Sequence, residues 1–143
     1  MARPRAVLFV CAYNSVRSPM AEGLFAQLIG KSIAVASAGV QKRELDPFAV
    51  AAMEEIGLDI ARHKPMTFEE MEDWEGLNFD LIITLAPEAH HKALELTRTI
   101  AADVEYWPTP DPSAVEGTRE QRLDAYRDVR DQLTRRIRER FST

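Results

Sequence analysis

One cysteine, three histidines and six glycines are all that this chain of 143 residues carries of those types. A single thiol allows no internal disulfide, and a thiol that has to stay reduced suits the cytoplasm. Two of the histidines, His90 and His91, are adjacent and project in different directions on a helix, whereas helix-borne metal ligands want a four-residue spacing; they read as polar side chains facing solvent. Positive charge is scarce as well: 18 Lys and Arg against 23 Asp and Glu leave a net charge of −5. The basic residues form no block or aromatic-interleaved stripe, so nucleic acid is not an expected partner. The apolar run in MARPRAVLFVCAYN stops at a polar loop long before a signal-peptide core would be complete, so neither a targeting segment nor a membrane partner is expected. Neither a dinucleotide fingerprint nor a glycine-rich nucleotide loop is found, which leaves no cofactor to expect. The remaining composition, 45% apolar and 29% charged, fits one domain over residues 1–143 with one core. Such a chain buries about two-thirds of its unfolded surface and folds without metal or disulfide.

The chain's only thiol lies in the segment CAYNSVRS, residues 11–18. Residues 6–10, AVLFV, read as a buried strand, and Ser18-Pro19 opens an amphipathic helix through Met20, Leu24, Phe25, Leu28 and Ile29 that Gly30 closes. The loop between them holds Cys11 where backbone N–H groups and a helix N-terminus converge. That position is electropositive without any side chain, favours thiolate over thiol and binds a tetrahedral oxyanion. Arg17 adds a planar, permanently charged fork for two oxygens of that anion. Asn14 tolerates left-handed backbone, and Ser18 places a hydroxyl to donate toward sulfur.

Further along, residues 33–36 form a second apolar run that ends in Ser37-Ala38-Gly39. Asp46-Pro47 supplies the N-cap and first position of a helix with Ala49, Ala52, Met53 and Ile56 inward and Gly57 as its stop. Thr67 and Glu70 have capping-box spacing, which opens a short helix over Phe68 and Met71; Glu69, Glu70, Glu72 and Asp73 read as a solvated face. Residues 81–85 are a third strand, followed by a helix from Pro87 with Ala89, Ala93, Leu94 and Leu96 inward, and residues 104–107 are a fourth. After the loop PTPDPSAVEG a long helix carries the stripe Leu123, Tyr126, Val129, Leu133, Ile137 and Phe141. On its other faces Arg127, Asp131 and Arg135 stand at ion-pair spacing. Strands alternating with helices, and apolar on both faces, predict a parallel sheet covered on two sides. Right-handed crossovers then gather residues 11–18, Ser37, Ala86 and the loop with Asp111 at one sheet edge, where open α/β sheets bind ligands.

VLFVCAYNSVRSPMAEGLF, the SAG after the second strand, DLIITL at the third and Asp111-Pro112 together resemble the low-molecular-weight protein tyrosine phosphatase family, which includes a branch of arsenate reductases. The resemblance spans nearly the whole chain. It implies an α/β fold with one four-stranded parallel sheet in the order 2-1-3-4 and helices on both faces, a phosphocysteine intermediate and no metal. Carried onto this sequence, it makes Cys11 the nucleophile, Arg17 the phosphoryl clamp and Asp111 the general acid. The loop Ala12, Tyr13, Asn14, Ser15, Val16, Arg17 and Ser18 becomes the substrate cradle. Ser18 then stabilises the thiolate, Asn14 holds the loop backbone, and Ser37 and His63 support it. The implied partners are a phosphorylated protein or small phosphomonoester, and inorganic phosphate or similar oxyanions.

The departures from the family pattern concern specificity. Tyr13 stands where glycine is usual, and Val16 where many members have a second, protective cysteine. Ser113 and Ala114 follow Asp111-Pro112 where phosphotyrosine-specific members have aromatic walls, and Tyr13 or Trp107 are the rings left to substitute. The tail after Asp111 looks closer to the arsenate-reductase branch, yet Ala86 occupies a position that can hold one of that branch's extra thiols. Phosphomonoester hydrolysis is the expected activity; arsenate reduction with an external thiol and a non-catalytic phosphate-binding module are the alternatives.

Overall fold

A computed structural model describes residues 3–75 and 78–141. The strands are β1 (Ala6–Cys11), β2 (Ala34–Gly39), β3 (Leu81–Thr84) and β4 (Asp103–Tyr106); the α-helices are α1 (Arg17–Ile29), α2 (Pro47–Glu54), α3 (Phe68–Glu75), α4 (Pro87–Leu96) and α5 (Arg119–Phe141). All pairings are parallel and the order is β2-β1-β3-β4, as the resemblance implies. Alternation within β1 supplies both faces. Val7 and Phe9 join the core under α1, α2 and α5, while Leu8 and Val10 join the core under α3 and α4. The Asp80 carboxylate accepts the Arg5 and Ala6 N–H groups and so ties the entry of β1 to that of β3.

The capping expectations hold. Asp46 Oδ1 accepts the Phe48 N–H ahead of Pro47, and Thr67 and Glu70 exchange reciprocal side-chain-to-backbone bonds of 3.1 Å. The six expected apolar residues of α5 are all buried. Phe141 meets Phe25 edge-on at 5.0 Å, and Phe9 packs between Phe25 and Trp107.

Local expectations fail where a helix ends or a stripe drifts. Ile56 is 46% exposed because α2 stops at Glu54 and the chain turns at Gly57, whose φ is +79°. Leu94 is 48% exposed because Ala89 and Ala93 already define α4's inward row, one position to its side. Strand β2 begins after Ile33 and continues through Gly39, since Ser37, Ala38 and Gly39 lie opposite Phe9, Val10 and Cys11. The expected ladder of Arg127, Asp131 and Arg135 is absent among the described residues. Arg127 instead binds Glu55, the residue just past α2, together with Glu120 and Asp124, and Asp131 pairs with Arg130. His90 is not idle surface: its ring stacks on Tyr106 at 4.5 Å, and Nδ1 lies 3.0 Å from Thr84 Oγ1. Glu70 pairs with Lys42 as well as capping α3, and the Asp73 side chain lies outside the described residues.

Candidate active site

Strand β1 delivers Cys11 at its last position, and α1 opens at Arg17, so the segment between them wraps the helix mouth. The N–H groups of Ser15, Val16, Arg17 and Ser18 find no backbone acceptor among the described residues. They are the open donors of a helix N-terminus, gathered beside a sulfur. Cys11 Sγ lies 2.9 Å from Ser18 Oγ and accepts the Asn14 N–H at 3.3 Å. Both neighbours can donate to a sulfur anion.

Asn14 is the knot of the loop. Its φ of +52° is the one left-handed backbone among the described non-glycine residues, which asparagine tolerates better than most side chains. Its amide is fully buried and fully used. Nδ2 donates to Ser18 Oγ at 2.8 Å and Ser37 Oγ at 3.0 Å, while Oδ1 accepts the Met66 N–H at 2.8 Å. The backbone donor Met66 fixes which end is oxygen. His63 Nε2, 2.9 Å from that same oxygen, therefore carries the proton.

Behind Ser37 stands Glu22, which the sequence reading did not single out. Its Oε1 accepts from Ser37 Oγ at 2.6 Å and lies 3.9 Å from His63 Nδ1. Burial pushes the Glu22 carboxyl above the ordinary carboxylate value, against the Ser37 hydrogen bond, and burial pushes the His63 imidazole below its ordinary value. Glu22 lies on α1 four positions after Ser18, so it faces the same way one turn on; that helical step was the signal available for finding it.

Gly39 closes the loop from the β2 side. A Cβ there would stand 2.7 Å from Asn14 N and 2.8 Å from Tyr13 C, closer than packed atoms approach. Only glycine lets the strand end lie against the loop. Tyr13 has no positive φ, so the backbone at that position does not demand glycine. Val16 is buried in the core beneath α1 and α2.

Arg17, 8% exposed, is steered by Nη1 donating to Thr109 O at 2.9 Å. Thr109 is itself tied by its N–H to Leu85 O, so the loop after β4 sets the guanidinium. Two residues on, Asp111 caps a 3-10 turn (Pro112–Ala114): one carboxylate oxygen accepts the Ser113 N–H at 2.9 Å and the Ser113 hydroxyl at 2.6 Å. Asp111 lines a narrow groove with Cys11, Ser15 and Arg17. That groove adjoins a cleft of about 420 Å³ walled by Ala12, Tyr13, Val40, Gln41, Ala86, Pro87 and Glu88. Tyr13 is the one aromatic in either lining. Trp107 is 5% exposed, packs on Phe9 and donates its indole N–H to Glu105, so it belongs to the core and walls nothing.

A sulfur at a helix mouth, an arginine fork and a carboxylate meet in one groove. The family model for low molecular weight phosphotyrosine protein phosphatases matches residues 6–142. The chain belongs to that family. Among its relatives is an arsenate reductase of Bacillus subtilis, 35% identical over 134 residues that cover 93% of this chain and 92% of the relative. Two solved members of the family share the architecture. An arsenate reductase in the phosphate-binding state superposes with a TM-score of 0.69 at 34% identity, covering 94% of this chain and 95% of the other. The arginine phosphatase YwlE, carrying a phosphorylated active-site serine in a mutant, gives 0.74 at 25% identity over 94% and 91% of the two chains. Oxyanion binding thus occurs among proteins of this architecture.

Proposed function

We propose that the protein hydrolyses phosphomonoesters through a phosphocysteine formed on Cys11. The observation that carries the reading is the convergence of Cys11, Arg17 and Asp111 on one groove, with Ser18 and the Asn14 N–H aimed at the sulfur. The Cys11 thiolate attacks phosphorus and forms the S–P bond as the P–O bond to the leaving group breaks. Charge developing on the equatorial oxygens meets the open loop N–H groups and Arg17, which are already in place. Asp111 passes its proton to the leaving oxygen, a contribution of roughly 10²–10⁴ where that oxygen is a poor leaving group. The Asp111 carboxylate then takes a proton from water, which attacks phosphorus, breaks the S–P bond and returns phosphate and free thiolate.

Rapid-quench mass spectrometry with an aryl phosphate tests this reading. A phosphoryl adduct on Cys11 is expected, and its absence together with no turnover between about pH 5 and 7 overturns the reading. Asp111→Asn should slow poor leaving groups far more than good ones; equal losses remove Asp111 as the acid.

A second reading draws support from the relatives named arsenate reductase. Arsenate has the shape and charge of phosphate and would form a Cys11–arsenic adduct with loss of water. The chain has one cysteine, so the two electrons must come from two external thiols. The first attacks the Cys11 sulfur and expels arsenite, and the second reduces the mixed disulfide. Arsenate-dependent thiol consumption by the purified protein is the measurement that separates it from hydrolysis.

A further inference from the structure

Three arginines, one lining the thiol groove and two on helix α5, stand over aromatic rings instead of against carboxylates. The Arg43 guanidinium sits 3.6 Å from the centroid of the Tyr13 ring, and Arg119 and Arg122 stand 5.4 and 4.6 Å from that of Phe48. Among the described residues none of the three forms an ion pair, whereas Arg127, Arg130 and Arg140 are all held by Glu55 or Glu105.

The two rings anchor to the loop. Tyr13 is part of it, and Arg43 donates its backbone N–H to Tyr13 O while its side chain lines the groove of Cys11 and Asp111. Phe48 stacks on Tyr126 at 5.3 Å, Tyr126 donates its hydroxyl to Asp46, and the Asp46 N–H donates to Ser15 O of the loop. Helix α5, which Arg119 opens, packs against the Pro112–Ala114 turn that Asp111 caps, and this contact brings the helix carrying Arg119 and Arg122 to the Asp111 side.

Helix stability does not explain these cations. Arg119 and Arg122 occupy the first turn of α5, where the helix dipole favours acids, and Thr118 and Gln121 already cap that end reciprocally. An arginine on an aromatic face keeps its fork pre-oriented and its edge free for a carboxylate or phosphate.

We propose that Arg43, Arg119 and Arg122 form a docking rim for an acidic segment of a phosphorylated protein substrate, flanking the phosphoryl group held at Cys11. The substrate class rests on the phosphatase reading above; the rim itself does not. Glu88 stands on the cleft wall formed by the start of α4, so an acidic flank leaves the site over the arginines and not over α4. An extended peptide advances about 3.3 Å per residue, so acids within a few positions of the phosphorylated side chain reach such a rim.

The test compares two phosphotyrosine peptides, one flanked by glutamates and one by glutamines, using the full chain. The acidic peptide should show about tenfold higher kcat/KM, carried by KM, and the advantage should vanish at about 1 M salt, where the Debye length is roughly 3 Å. The double variant Arg119→Gln/Arg122→Gln should lose most of this preference while turning over a small aryl phosphate at the wild-type rate. Adding Arg43→Gln should abolish it, and Arg→Lys replacements should restore part. Equal kcat/KM for the two peptides, or a preference that survives the triple variant, overturns the rim. If no phosphate ester is hydrolysed, the phosphatase reading fails and the rim is read by fluorescence anisotropy with Cys11→Ser protein. Tighter binding of the acidic peptide, lost in the triple variant, supports it, and indistinguishable binding of both peptides overturns it.

Discussion

Two polar clusters in this molecule look alike by number of hydrogen bonds and differ in everything else. Behind the loop, Asn14, Ser18, Ser37, His63 and Glu22 form a mostly neutral network, with Asn14, Ser18 and Ser37 buried in the protein. Across α2 and α5, Arg127 and Arg130 gather Glu55, Glu120, Asp124 and Asp131 at the surface. The surface cluster holds stronger charges at equally short distances, yet water and salt compete for each of its members and the side chains lose freedom to form it. In the buried network no water waits to replace a lost partner, so each bond that goes missing leaves an unsatisfied group. Distance alone therefore ranks them wrongly; burial decides which cluster holds the site.

Asn14→Ala puts the sharpest strain on that contrast. It strips a partner from the Met66 N–H, His63 and two hydroxyls at once and puts alanine at φ +52°. The expected loss is roughly 2–4 kcal/mol of stability by denaturant titration, with turnover reduced beyond what the folded fraction explains. A variant as stable and active as the parent would make the network decorative.

Gly39→Ala comes next. The added methyl meets backbone on the loop side, which cannot swing away as a side chain would. Turnover should drop by about tenfold or more with a smaller loss of stability, since the loop is displaced while the core beneath it is kept. Steady-state kinetics alongside a melting curve separates the two effects.

The titrating pair gives a pH signature that the surface cluster lacks in the same range. The imidazole of His63 is held below its ordinary value of 6.5, so its contribution is fully present above pH 6.5 and is lost as pH falls through the lowered value. The carboxyl of Glu22 is raised above 4.5, so its contribution is present below pH 4.5 and is lost as pH rises through the raised value. Accordingly His63→Gln should flatten the acid-side fall of the melting temperature below pH 6.5. Glu22→Gln should raise the melting temperature near neutrality relative to the parent, the difference shrinking toward pH 4.5. Differences that stay constant with pH would detach both groups from the titration.

Arg127→Ala should have the smallest effect. It removes bonds to Glu55, Glu120 and Asp124, yet these carboxylates return to water when released. Turnover should be unchanged, and the melting temperature should move less than in any variant above. The Glu55 carboxyl, held down to about 2 by Arg127 and Arg130, should then titrate nearer its usual value, which side-chain NMR reads directly.

An apolar run made β1 legible, helical period the long stripe of α5, and capping-box spacing the reciprocal cap at Thr67 and Glu70, because each is a local pattern with a local cause. Cys11, Arg17 and Ser18 were legible for the same reason: strand, loop and helix are contiguous there. Glu22 was passed over because it reads as one more acid on an amphipathic helix until Ser37 and His63 arrive beside it. By sequence pattern Trp107 fits wall or core alike, and Ile56 and Leu94 fall on inward rows. Those outcomes depend on where neighbouring elements stop and which helix row faces the sheet.

The sequence by itself determined the strand-loop-helix that sets a lone thiol at a helix mouth, the parallel α/β class, and the need for an external thiol in any redox chemistry. These follow from residues near one another in the chain, where sterics, hydrophobic period and capping act directly. The tertiary structure decided the rest. It brought Thr109 to Arg17, Asp111 to the thiol groove and Met66 to Asn14, and it laid Arg43 on Tyr13 and Arg119 and Arg122 on Phe48. Such contacts join residues from different elements, and only the packing of helices onto the sheet fixes their distance and their isolation from water.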